Sequence, residues 1–128
     1  MNIVSRIARI LLGLLFLVFG LNGFLHFIPM GPLPPGAGGQ FIGALGESHF
    51  MAVVFALELI PAVLLLMNRY VPLALTLLAP VIVNIVLFHA LMAPAGLPPG
   101  AIATFLWILA AYNYRSVFTG LLQHRVQA

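Results

Sequence analysis

Polar positions are so sparse in this chain that they act as punctuation between four long apolar runs, about Val4 to Ile28, His49 to Met67, Val71 to Met92 and Ala101 to Phe118. Each run is near the length a helix needs to cross roughly 30 Å of hydrocarbon. The breakers fall between them: PMGPLPPGAGG after the first run, Asn68-Arg69-Tyr70 after the second, and a Pro/Gly-rich stretch after the third. Pro72 fits the first turn of the third helix, where a missing N–H costs nothing. The pattern predicts an all-α, integral membrane four-helix bundle forming a single transmembrane domain over residues 1–128. In the first long connection, PMGPLPPGAGG is too rich in Pro and Gly for a helix, whereas Gln40 to Gly46 suits a short interfacial turn with Phe41, Ile42 and Leu45 on its apolar side.

Composition sharpens that picture. The chain is 63% hydrophobic and 5% charged, against about a quarter charged in an ordinary soluble domain. Its five arginines are Arg6 and Arg9 before the first run, Arg69 in the second connection, and Arg115 and Arg125 beside or after the fourth. The first and third connections hold no Lys or Arg, so both termini are expected on the cytoplasmic side of the membrane, with multiple passes. No small-residue cleavage pattern follows the first run, which predicts a retained span rather than a signal peptide. Tyr70, Tyr112 and Tyr114 then fall at the inner interface as an aromatic belt.

The same inventory excludes several function classes. Without Cys there is no disulfide, thiolate metal site or thiol relay. No basic patch with interleaved aromatics points to nucleic acid. No Ser nucleophile with a base, HExxH, acidic pair for magnesium or CxxCH stands in the chain, and the loop glycines lack the Lys-Ser/Thr pair of a phosphate cradle.

An internal repeat is expected from the outer connections. Asn22, His26 and Pro29 precede Leu33-Pro34-Pro35-Gly36, and Asn84, His89 and Pro94 precede Leu97-Pro98-Pro99-Gly100. A duplication would give two parallel helical hairpins about an axis along the membrane normal. Asn22, Glu58 and Asn84 then fall at similar depth in the outer half of the bilayer, with His26 and His89 nearer the surface and His49 at the mouth of the second span. Because polar side chains facing acyl chains are costly, Asn84 and His89 are expected to point inward. Glu58, the one acid within a span, is suited to carry or relay a proton or to pair with a histidine. Pro61, three residues on, leaves the Leu57 carbonyl without its usual donor. The expected ligand-binding set is therefore Asn22, His26, His49, Glu58, Asn84 and His89. A metal site is not expected, with His26 and His89 as the weaker alternative. Asn113 and Arg115 read as a polar cap and a topology charge, Trp107 as packing, and Gly13, Gly20 and Gly23 as a close-packing stripe between helices.

The segments ARILLGLLFLVFGLNGFLHF and ALELIPAVLLLMNRYVPLALTLLAPVIVNIVLFH, covering most of the chain, resemble bacterial DoxX-family membrane proteins: an Arg opening a Gly-rich apolar helix with a polar end, then a glutamate in the second helix before a short turn at Arg69. The resemblance implies a four-helix bundle and an association with quinone-linked sulfur oxidation or membrane oxidoreductase complexes. Two readings stay open. One is a quinone-binding or redox-associated subunit with Glu58 relaying the proton, a partner subunit supplying electrons, and activity only as part of that complex. The other is a non-catalytic scaffold, assembly factor or small-molecule carrier, with haem or metal ligation a lesser alternative. Membrane lipid and a homo-oligomer are the remaining expected partners.

Overall fold

The computed structural model describes residues 2–127. Helix α1 spans Ile3–Leu25, and the Asn2 side chain accepts the Ser5 N–H at 3.0 Å to cap its start. Helices α2 (Ala37–Glu47), α3 (Phe50–Met67), α4 (Val71–Met92) and α5 (Leu97–Ala111) follow, then a 3-10 turn at Tyr112–Tyr114 and the short α6 (Arg115–Thr119). Among the described residues there is no strand. Four stretches are long and apolar enough to cross a membrane: α1, α3, α4 and the composite Pro94–Leu122. This is the architecture of a multi-pass membrane protein.

Boundaries differ from the sequence reading at three places, each for a local reason. Helix α1 stops at Leu25 rather than Ile28, because His26 turns left-handed at φ 54 and its N–H closes on the Asn22 carbonyl. Helix α2 begins at Ala37 and so includes Gly38 and Gly39, which had been assigned to the irregular half of the connection. Gly38 is used for close approach: a Cβ there would lie 3.1 Å from the Met92 carbonyl oxygen. The fourth helix starts at Leu97, four residues early, because a proline in the first turn of α5 fits where no donor is needed.

Each long helix packs chiefly on two others, in the ring α1–α3–α4–α5 and back to α1. The core is built from Leu12 and Phe16 of α1, Leu65 of α3, and Leu75 and Leu78 of α4, with Ala103 and Ala110 letting α5 come near. Helices α1 and α3 share the most extensive face, and the glycine stripe lies on it. Gly13 faces Leu66 and Ala62, Gly20 faces the backbone of Leu59, and Gly23 lies under the Phe55 ring. Large apolar side chains such as Val18, Ile60, Val83 and Phe105 point away from the bundle, as a lipid-facing surface requires.

Both termini belong to one end of the bundle. Ser5 Oγ donates to the Leu109 carbonyl at 2.7 Å, which brings the start of α1 to the end of α5. Arg9 reaches the Leu65 carbonyl near the end of α3. Arg6, Arg69 and Arg115 lie in the same terminal segments, so this is the arginine end, and the connections 26–49 and 93–97 form the loop end.

Candidate functional site

Helix α3 turns Glu58, Pro61, Ala62 and Leu65 to the interior on one face, as their spacing of three and four residues dictates. Glu58 is only 6% exposed, and its Oε2 has no hydrogen-bond partner. A buried carboxyl with unused capacity is the clearest chemical feature of the bundle, since native interiors rarely leave such atoms alone. Pro61 lacks an N–H, so the Leu57 carbonyl one turn away has lost its normal helical donor as well.

The other candidates are occupied locally. Asn22 is buried, but both ends of its amide serve Ile28: Nδ2 donates to the Ile28 carbonyl at 3.2 Å, and Oδ1 accepts the Ile28 N–H at 2.6 Å. It fastens the outgoing chain to the end of α1. His26 and His49 are exposed left-handed residues flanking the helices, at φ 54 and 62. His89 is half-buried, with Nδ1 3.2 Å from the Ala93 carbonyl oxygen and its ring edge-on to Phe88. That ring covers Gly96, where no side chain could be accommodated. Asn84, expected to point inward, is exposed on α4, and its Nδ2 donates to the Pro80 carbonyl at 2.8 Å. An amide that bonds its own backbone lowers its cost outside the core, which is why helix period rather than polarity set its direction.

None of these hydrogen bonds joins two of the six candidates, and among the described residues no three His, Asp or Glu side chains gather to hold a metal. Two open surface grooves lie elsewhere. One of about 470 Å³ runs between Trp107, Tyr112 and Phe118, and one of about 330 Å³ runs between α1 and α5 at Ile7, Leu11 and Phe105. Of the six candidates, Glu58 is the one with a buried side-chain atom that has no hydrogen-bond partner.

Arg9 had been read as a topology charge, and the structure gives it another role. It is 7% exposed, and a guanidinium nitrogen donates to the Leu65 carbonyl in the last turn of α3, which otherwise accepts only a 3.3 Å bond from the Asn68 N–H. A cation at that helix end also complements the negative pole of its dipole. Its Nε is buried without a partner. The signal was present in the spacing, since Ser5, Arg9, Leu12 and Phe16 recur on one helical face. Trp107 does pack, on Phe118, and its indole N–H additionally donates to the Leu75 carbonyl at 2.8 Å. Arg115 lies over the Tyr112 ring at 4.4 Å and donates to the Tyr112 carbonyl, while Asn113 Nδ2 is buried without a partner.

Compared with protein-family models, curated proteins and solved structures, the chain has no significant match.

Proposed function

We propose that this chain is a small, DoxX-like subunit of a quinone-linked oxidoreductase complex in a bacterial inner membrane, contributing an intramembrane carboxyl rather than a complete head-group site. The observation that carries the reading is the buried, unpartnered Oε2 of Glu58, because an acid kept in a membrane interior without a structural partner is a functional group by default. The resemblance of the α1 and α3 segments supports the complex it serves. Electrons come from a partner subunit, and the chain's own part is to take up or release a proton at the Glu58 carboxyl. In this reading the arginine end is cytoplasmic, and the two hairpins α1–α3 and α4–α5 are parallel repeats.

The test uses an economy of composition: Glu47 and Glu58 are the only side-chain acids. In infrared difference spectra of the chain in nanodiscs, a carboxyl C=O band that shifts between added ubiquinone and ubiquinol, and that is absent in Glu58→Gln, supports the proposal. A carboxyl region unchanged by either addition overturns it. The second reading, a non-catalytic scaffold, is favoured by the amide of Asn22, both ends of which are engaged by Ile28. It predicts that Glu58→Gln changes thermal stability alone.

A further inference from the structure

The lipid-facing side of α4 carries polar capacity that acyl chains cannot satisfy. Leu73, Thr76, Pro80, Asn84, Leu87 and Leu91 are all exposed and recur at three- and four-residue spacing, so they form one stripe. Asn84 stands thirteen residues after Val71 and eight before Met92, which at about 1.5 Å per residue is well inside the hydrocarbon from either end. Its Nδ2 gives one hydrogen to the Pro80 carbonyl. The second N–H and the two lone pairs of Oδ1 remain. One turn away, Pro80 has no N–H to give to the Thr76 carbonyl, and the Thr76 hydroxyl is turned to the Pro72 carbonyl instead. The stripe therefore presents an amide and an under-satisfied backbone oxygen to a medium with no donors.

We propose that this stripe is the interface of a parallel homodimer, with Asn84 of one copy hydrogen-bonded to Asn84 of the other. Two copies inserted with the same orientation are related by a twofold axis along the membrane normal, so every residue on that axis meets itself at the same depth. A charged residue there would repel its copy. An amide, being donor and acceptor at once, is complementary to itself, and such pairs hold membrane helices together. This inference is independent of the role given to Glu58.

The chain has no cysteine, so a single introduced thiol reports the contact. Leu87→Cys, on the stripe, and Ile60→Cys, exposed on α3, are each treated in nanodiscs and in native membranes with a short bifunctional thiol reagent and with a benzophenone maleimide. The expected result is a product of twice the chain's mass from Leu87→Cys and not from Ile60→Cys. Adding Asn84→Leu should lower the yield about threefold or more, the scale of one interhelical polar contact, and Asn84→Gln should retain it. Equal yields at the two positions, a yield indifferent to Asn84→Leu, or a Leu87→Cys product joined to a different chain would each overturn the homodimer. Because Asn84 lies outside the core, Asn84→Leu is expected to fold, and an unchanged thermal transition verifies that.

Discussion

The two ends of the bundle use their polar residues in opposite ways. At the arginine end three bonds run between helices, Ser5 to Leu109, Arg9 to Leu65 and Trp107 to Leu75, beside local ones such as Arg115 to Tyr112. At the loop end, and along the half of α4 nearer to it, they stay within a few residues: Asn22 to Ile28, Asn84 to Pro80, His89 to Ala93. In lipid, where apolar burial gives little drive for one helix to choose another, bonds between helices and close packing decide which segments are held together. The arginine end is thus stapled by polar bonds between helices, and the loop end is joined across helices by packing, as at Gly23 on Phe55 and Gly38 on Met92. Glu58, buried and unpaired on α3, belongs to neither set of bonds.

Breaking the stapled end should have the largest effect. Arg9→Met removes the side-chain donor to the Leu65 carbonyl and leaves it only the 3.3 Å bond from the Asn68 N–H, and is expected to cost roughly 1.5–3 kcal/mol, the range for hydrogen bonds to charged groups, read as a lower unfolding midpoint in detergent. Gly20→Leu comes next at roughly 1–3 kcal/mol, by overpacking, since even a Cβ at Gly20 would lie 3.2 Å from that of Leu59. A Gly20→Leu protein as stable as the parent would show that α1 and α3 are not held at this distance. Trp107→Phe removes one N–H while keeping most of the ring, and should cost about 1 kcal/mol. Asn22→Leu should be the mildest, because what it opens is confined to the end of α1 and residues 26–30. Its expected signature is faster amide exchange there with the global midpoint unchanged, and a cooperative loss of stability would place Asn22 among the staples.

Much of the frame was legible because period and breakers act locally. The α3–α4 turn at Asn68-Arg69-Tyr70 and the full extent of α4 follow from the apolar pattern and Pro72, and Gly13, Gly20 and Gly23 announced a close helix pair by spacing alone. The directions of side chains were harder to read. Polarity suggested that Asn84 faces inward, but the helix phase fixed by Ala74, Leu75, Leu78 and Ile82 turns it outward, and bonding to Pro80 makes that tolerable. The burial of Arg9 was not legible for the converse reason, because a charge near a membrane boundary satisfies the topology rule whether it is exposed or buried. Only the partner helix, supplying the Leu65 carbonyl, distinguishes the two. The paired Leu-Pro-Pro-Gly runs do not adopt the same structure: Leu33 to Gly36 ends just before α2, whereas Leu97 to Gly100 forms the first turn of α5. Proline and glycine specify where a helix begins less tightly than where it cannot continue.

The difference between the two ends is tested most directly by amide hydrogen exchange of the parent chain and Arg9→Met in the same nanodiscs. The account predicts slow exchange at residues 62–67 and 106–111 of the parent and faster exchange at 22–30 and 89–97, with Arg9→Met accelerating only the first pair of segments. Equal protection at both ends of the parent, or an Arg9→Met effect centred on the loop end, would contradict it.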